Sequence, residues 1–94
     1  MRKKTDLNQK ELVRALKQIP GVSVQDLSAV GQGCPDLLVG YKGKNYLFEI
    51  KNPETKGKLN ERQEIWFSEW KGQVCVVRDI DDLLDVLWLV SNPE

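Results

Sequence analysis

The residues of this 94-residue chain best suited to chemistry lie on the two arms of a predicted β-hairpin. A strand-like apolar run follows Asp36, a second one leads to Glu49-Ile50-Lys51, and a turn rich in lysine and glycine at residues 42–44 separates them. For any turn centre within residues 42–44, antiparallel pairing places Asp36 opposite Glu49, Ile50 or Lys51. Side chains alternate along a strand, so Glu49 and Lys51 point to the same face. We therefore expect two carboxylates and one lysine at one end of the hairpin.

Such a cluster has a definite electrostatic character. Two carboxylates about 4 Å apart repel by roughly 4 kcal/mol at an effective dielectric constant of about 20, and a hard divalent cation with oxygen ligands removes that repulsion. A lysine beside the pair suits the orientation or deprotonation of a water molecule. The plainer alternatives are that Asp36 is a turn residue after Pro35, and that Glu49 and Lys51 form the solvated face of a half-exposed strand.

The elements around the hairpin are predicted in the order α-β-β-β-α-β-α. A capping pattern at Asp6 and Gln9, with apolar residues at helical spacing, predicts a first helix from about Leu7 to Lys17. Alternation predicts a strand at Val22–Ser28. This order predicts an α/β fold: a mixed four-stranded sheet flanked by helices, in one domain over residues 1–94.

The second half of the chain contains a helix, a strand and a last helix. Asn60 and Gln63 resemble a capping box, Gly72 is expected to end that helix, and the apolar run Gln73–Arg78 is typical of a strand covered on both faces. The last helix is expected to begin near Asp79. The helix that begins after Asn60 is expected to have an apolar face made of Ile65, Trp66, Phe67 and Trp70. The residues of the last helix expected to pack inward are Leu83, Leu84, Val86, Leu87, Trp88 and Val90. Core or interface packing explains the three tryptophans without base stacking.

Composition limits the possible function classes. The chain has no histidine, and Cys34 and Cys75 lack the spacing of a metal site, so zinc sites and histidine-dependent catalysis are disfavoured and reduced, packed thiols are expected. No apolar run approaches a membrane span and no signal-type segment opens the chain, which predicts a cytoplasmic protein without membrane contact. The first 78 residues hold 14 Lys and Arg against 9 Asp and Glu, a net charge of +5, and residues 79–94 carry −5. A polyanion can therefore bind the first part of the chain.

Several of these motifs together resemble a known family. Pro35-Asp36 and Glu49-Ile50-Lys51 look like the core of the PD-(D/E)XK nucleases. The ordered set of motifs resembles the virus-type replication-repair nuclease (VRR-NUC) domain in its stand-alone form, from Glu11 to about Leu87. That set is Gly31-x-Gly33-x-Pro35-Asp36-Leu37, Phe48-Glu49-Ile50-Lys51, Leu59-Asn60-x-x-Gln63-x-x-Trp66 and Val74-x-Val76-Val77-Arg78. The resemblance implies a restriction-endonuclease-like α-β-β-β-α-β core.

The resemblance also implies roles for individual residues. It implies a Mg²⁺ or Mn²⁺ site for phosphodiester hydrolysis, with Lys51 acting on the attacking water and Gln63 giving a supporting contact to the water or the lysine. The implied metal ligands are Glu11, Asp36, Glu49 and the main-chain carbonyl of Ile50. Glu11 is otherwise an ordinary surface residue of the first helix, and Gln63 otherwise only caps its own helix.

Basic residues near the cluster suggest how nucleic acid would bind. Lys56, Lys58 and Arg62 flank it in sequence and are expected to hold phosphates, whereas Lys42 and Lys44 at the hairpin tip would contact DNA outside the cut site or a partner subunit. Gly31 and Gly33 are expected to serve backbone conformation.

The leading hypothesis is a metal-dependent, structure-selective DNA endonuclease that resolves Holliday junctions as a homodimer, in a phage or a bacterial mobile element. No helix-turn-helix or zinc finger is present to read a DNA sequence, and a two-fold dimer places two sites for paired cuts on a symmetric junction. The alternatives are a sequence-specific restriction-type nuclease, a flap nuclease, an inactive DNA-binding module of the same fold, and a small structural or inhibitory protein in which the cluster is coincidental.

Overall fold

A computed structural model describes residues 9–51 and 58–91 of the chain. The elements follow the predicted order α-β-β-β-α-β-α. They are α1 (Gln9–Lys17), β1 (Val22–Asp26), β2 (Leu37–Tyr41), β3 (Lys44–Ile50), α2 (Glu61–Glu69), β4 (Cys75–Val77) and α3 (Ile80–Ser91). The predicted helix cap at Asp6 and helix start at Leu7 lie outside the described residues.

The four strands form one mixed sheet in the order β1-β2-β3-β4. β1 pairs with β2 and β2 with β3 in antiparallel fashion, and β4 joins β3 in parallel. The parallel pairing requires a crossover connection, which α2 supplies. The predicted α/β class, with a mixed four-stranded sheet flanked by helices, is confirmed.

The central hairpin turns over two residues, and this turn sets its register. Lys42 and Gly43 have φ angles of 52° and 78°, the left-handed pair of a type I′ turn, whose twist suits two antiparallel strands. Leu37 pairs with Phe48, so Asp36, one step further, lies opposite Glu49. The structure thereby selects one of the three registers that the sequence left open.

The two faces of the sheet are covered by different helices. α1 and α3 lie together on one face, where alternate residues of all the strands meet Leu12, Leu16, Leu83 and Leu87 in a buried core. The sheet contributes Leu37, Val39, Tyr46, Phe48 and Val77 to this core. α2 contacts the other face: Gln63 contacts Glu49 at one end of the helix, and Trp70, just beyond the other end, lines a cavity together with Leu47. Alternation thus sends Phe48 into the core and Glu49 to the side of α2.

Two strands are shorter than the sequence predicted. β1 ends at Asp26 rather than Ser28, because the Asp26 carboxylate accepts hydrogen bonds from the N–H and the hydroxyl of Ser28 and bends the chain into a turn. β4 spans only Cys75–Val77 rather than Gln73–Arg78. Its faces are covered only in part, because Val77 is buried while Cys75 and Val76 are half-buried.

Two predictions about the helices also need correction. α2 ends at Glu69, before Gly72, because Trp70 already has extended backbone angles. Trp88 was expected to pack inward but is 62 % exposed, because it lies about 100° around α3 from the buried Leu87. The side chain of Val90, also expected inward, lies outside the described part. No helix in the described ranges has the length and apolar character needed to cross a membrane.

Candidate active site

Asp36 is held at the start of β2 by two main-chain hydrogen bonds. Its carbonyl oxygen accepts the N–H of Leu27 at 2.8 Å, and its carboxylate Oδ2 accepts the N–H of Ile50, also at 2.8 Å. The side chain thus takes the place of the next rung of the β2–β3 ladder. Because the N–H and C=O of one strand residue point to the same side, the Ile50 carbonyl also points toward β2 and Asp36.

Glu49 is the buried charged residue of the site, with 2 % of its surface exposed. Gln63 Nε2 donates a hydrogen bond of 2.5 Å to Glu49 Oε2, and Lys51 Nζ lies 3.6 Å from the same oxygen. The second oxygen, Glu49 Oε1, is buried and has no hydrogen-bond partner among the described residues. An unpartnered buried carboxylate oxygen is costly, so it indicates a place for a further ligand.

The orientation of Gln63 is fixed by the start of α2. The Asn60 side chain accepts the Gln63 N–H, and Gln63 Oε1 accepts the Asn60 N–H, each at 2.9 Å, which completes the predicted capping box. With its oxygen occupied in this way, the Gln63 amide must turn its NH₂ group toward Glu49. One side chain therefore both caps the helix and contacts the carboxylate, so the two sequence interpretations of Gln63 are compatible. Its direct partner among the described residues is Glu49, and the contact to the water or the lysine stays a prediction.

A glycine sets how closely α2 approaches the site. Gly33 has a φ angle of +85°, and a Cβ atom at this position would lie 2.5 Å from the carbonyl oxygen of Arg62. The loop before β2 therefore packs directly on the first turn of α2, one residue from Gln63. The expected conformational role of Gly33 is confirmed and has a reason in this contact.

The two carboxylates disturb one another's protonation. Burial raises the pKa of Glu49 to about 7, the charge of Asp36 adds to the rise, and Lys51 and Gln63 oppose it. Burial also raises the pKa of Asp36, against the lowering effect of the Ile50 N–H and Lys51. The two carboxyl groups can hydrogen-bond one another only while one of them carries a proton. A proton or a cation thus relieves the same repulsion.

Two neighbours of the site were missed by the sequence interpretation. Asp26 ends β1 opposite Leu37, and its charge raises the pKa of Asp36. Counting register across β1 and β2, as was done for the hairpin, would have located it. Cys34 is near enough to both carboxylates for their charges, after burial, to raise the pKa of its thiol. Cys34 and Cys75 are both half-buried and form no disulfide with one another.

Within the described ranges, the contacts of the structure do not join the other predicted site residues to Asp36 or Glu49. Glu11 is half-buried in the first turn of α1 and is not among the charged groups that shift the pKa of Asp36 or Glu49, so its ligand role stays a prediction. Lys58 and Arg62 are exposed just before and within the first turn of α2. Lys56 lies outside the described residues. Lys42 and Lys44 are at the hairpin tip, as predicted.

The chemistry of the donors decides whether a divalent cation suits this place. In the described part of the chain, no three or more His, Cys, Asp or Glu side chains are grouped to hold a metal ion. Asp36 and Glu49 nevertheless form a carboxylate pair with raised pKa values, an unpartnered buried oxygen and a main-chain carbonyl, that of Ile50, directed to the same side. These are hard oxygen donors, and Mg²⁺ is commonly bound through one or two carboxylates with water completing its coordination. The residues therefore fit the cation that the family resemblance implies.

No protein-family model matches the chain, and neither a curated protein nor a solved structure is detectably similar to it. The resemblance to the VRR-NUC domain thus rests on the motifs alone.

Proposed function

We propose that the protein is a Mg²⁺- or Mn²⁺-dependent endonuclease of the restriction-endonuclease-like fold that hydrolyses phosphodiester bonds of branched DNA, acting as a homodimer on Holliday junctions. The observation that carries the proposal is the pairing of Asp36 with the buried Glu49, together with Lys51 beside Glu49 and a carboxylate oxygen without a partner. The motif resemblance to the VRR-NUC domain adds the reaction class.

The candidate ligands of the cation are Asp36, Glu49 and the carbonyl of Ile50, with Glu11 as a further ligand implied by the resemblance. A divalent cation bound there supplies positive charge to the phosphate and lowers the pKa of a water molecule, the two requirements of phosphodiester hydrolysis. The chain itself keeps the donors in place: the Ile50 N–H fixes Asp36, and the Gln63 amide fixes Glu49.

Lys51 provides the positive charge of the site. Its ammonium group is 3.6 Å from Glu49 Oε2, and its side chain is 16 % exposed, so it reaches the cluster and the solvent at once. At that position Lys51 would attract the phosphate and orient the attacking water. Lys58 and Arg62 would bind phosphates away from the cut, because both are exposed close to Gln63 in sequence.

The proposal is tested by cleavage of labelled four-way junction, flap and linear duplex DNA with Mn²⁺, Mg²⁺ or a chelator. Asp36→Asn and Lys51→Ala should each lower the cleavage rate about 100-fold or more. An asparagine oxygen can still accept the Ile50 N–H, so Asp36→Asn should keep the fold. Asp81→Asn, an exposed carboxylate of α3, is the matched control and should cut like the wild type.

The outcomes separate the alternative functions. Paired cuts in the junction by wild type alone support the resolving nuclease. Cutting that is confined to flaps, or to one sequence in linear duplex, would support the phosphodiester hydrolysis but assign a different DNA substrate. If the protein binds DNA but does not cut it with either metal ion, it is the inactive DNA-binding module. Mn²⁺ should also raise the melting temperature of the wild type more than that of Asp36→Asn, since only the native state holds the pair together.

A further inference from the structure

The face of the sheet that carries the carboxylates also has an open groove. Trp70, Leu38 and Leu47 line a cavity of about 350 Å³. A second cavity of about 200 Å³ shares Leu38 with the first and extends over Gly40 to Ser23 of β1. We call the two together the sheet groove.

The sheet groove lies on the same face of the sheet as the candidate active site. Leu47 precedes Glu49 by two residues on β3, and Leu38 follows Asp36 by two residues on β2, so all four side chains share one face. Two residues of a strand span about 6.6 Å, which is close to the length of one nucleotide in an extended single strand. A nucleotide next to a phosphate held at the carboxylates would therefore lie over the groove.

The lining of the sheet groove suits a flat, neutral group. Among the residues that the structure describes, no ionisable side chain lines either cavity, and the polar groups at the rim are amides and a hydroxyl, among them Asn45 and Gln25. The indole of Trp70 is held in place: its Nε1 donates to the Gln73 carbonyl at 3.2 Å, and its ring stacks on Trp66 with centroids 4.6 Å apart. Trp70 is still 45 % exposed, so it offers a fixed aromatic surface.

We propose that the sheet groove binds one unpaired nucleobase adjacent to the cleaved phosphate. Aliphatic and aromatic side chains stack against the face of a base, and neutral amides hydrogen-bond to its edge. A phosphate would need positive charge, and no described basic side chain lines the groove. A base inside a duplex cannot reach a groove in the protein, so the bound nucleotide beside the cut is either already single-stranded, as in a flap, or turned out of its pair at the crossover of a junction. This inference rests on the proposed nuclease function and narrows its substrate.

Gly40 allows the groove to be filled without disturbing the sheet. A Cβ atom at Gly40 would meet Asn45 Oδ1 at 3.6 Å and the Ser23 Cβ at 3.7 Å, which are ordinary contacts. Gly40→Val should therefore fold, since valine favours strands, and should block the groove. Trp70→Ala instead removes the aromatic side chain that lines the groove. Trp88→Ala is the control, because Trp88 is an exposed tryptophan of α3 on the opposite side of the sheet.

The experiment measures the fluorescence anisotropy of a labelled short oligothymidylate in chelator, where no metal-dependent cutting can occur. An abasic site is moved through each position in turn. In the wild type and in Trp88→Ala, one abasic position should weaken binding about tenfold or more. Gly40→Val and Trp70→Ala should bind the intact strand as weakly as the wild type binds that abasic strand, with melting temperatures showing that they are folded.

Other results overturn the assignment. If the wild type and both groove variants bind the intact oligothymidylate with equal affinity, the groove does not bind a base. The same conclusion follows if wild-type binding does not depend on the position of the abasic site. A Gly40→Val variant that loses only self-association in sedimentation would assign the groove to a protein interface. The proposed function fails separately, through absence of cutting with Mn²⁺, because the binding experiment needs neither metal nor cleavage.

Discussion

Glu49 is the residue whose protonation couples the site to the stability of the fold. Its pKa rises from an ordinary 4.5 to about 7 in the folded protein because of burial and the charge of Asp36. Between these two values the folded protein holds a proton that the unfolded chain releases. Stability is therefore highest at or below pH 4.5, as far as Glu49 is concerned, and is lost as the pH rises to about 7.

This linkage predicts the effect of Glu49→Gln. In chelator, the free energy of unfolding of the wild type should fall by up to about 3 kcal/mol between pH 5 and pH 8. Glutamine has no proton to lose, so Glu49→Gln should show a smaller fall. Urea denaturation at several pH values measures both. Glu64→Gln, on the exposed side of α2, should follow the wild type. Identical pH profiles for Glu49→Gln and the wild type would contradict the assigned pKa.

Among the elements, the loop before β2 controls the placement of α2. Gly31 and Gly33 both have positive φ angles, 72° and 85°, but a Cβ atom at Gly31 meets nothing within 4 Å. Gly31→Ala should cost about 1 kcal/mol of stability from backbone strain alone. Gly33→Ala should cost more, because it must also push the Arg62 carbonyl away.

The displacement at Gly33 should reach the active site through the capping box. Moving the first turn of α2 pulls the Gln63 amide from Glu49, so Gly33→Ala should lower the cleavage rate, while Gly31→Ala should lower stability only. Denaturation curves and single-turnover cutting measured on both variants separate the two effects. Equal cleavage rates in Gly31→Ala and Gly33→Ala would show that this loop does not position Gln63.

Much of the hairpin was predictable because it depends on local rules. Alternation put Glu49 and Lys51 on one face, and the lysine- and glycine-rich turn limited the register to three choices. The final choice depended on which two residues took the left-handed turn conformation, and Lys42-Gly43 did so. A capping box is also local, so Asn60 with Gln63 was recognised correctly.

What the sequence did not predict depends on contacts between distant elements. The Gln73 side chain, not its backbone, bonds the N–H and C=O of Leu47, so the sheet continues past the start of β4 through a side chain. The hydrogen bond from Gln63 to Glu49 joins α2 to β3, and no local pattern shows that it forms. Helical spacing of apolar residues predicts that a residue such as Trp88 is buried, even when no neighbouring element covers it.

Charge is mixed on both sides of the sheet, because α2 is acidic apart from Arg62 and the last turn of α1 carries Arg14 and Lys17. Three acidic residues in the described part of the tail, Asp81, Asp82 and Asp85, belong to α3, on the face away from the candidate site. Arg78 is partly neutralised by Asp82, whose Oδ2 lies 3.1 Å from its Nε. Lys58 and Arg62 lie close to the site in the chain and are exposed. These two exposed basic residues are therefore the described side chains next to the site in sequence that can contact phosphates.

This arrangement predicts how DNA binding depends on salt. A phosphate contact releases counterions from the DNA, so affinity falls as salt rises, and each lost contact lowers the slope of log K against log salt by about 0.9. Lys58→Gln and Arg62→Gln should each reduce the slope by about this amount for a four-way junction in chelator, measured by anisotropy over a salt series. Lys17→Gln, an exposed lysine at the end of α1 on the opposite side of the sheet, should leave the slope unchanged. If Lys17→Gln lowers the slope as much as the other two variants do, DNA binds by general attraction and not along the side that carries Asp36 and Glu49.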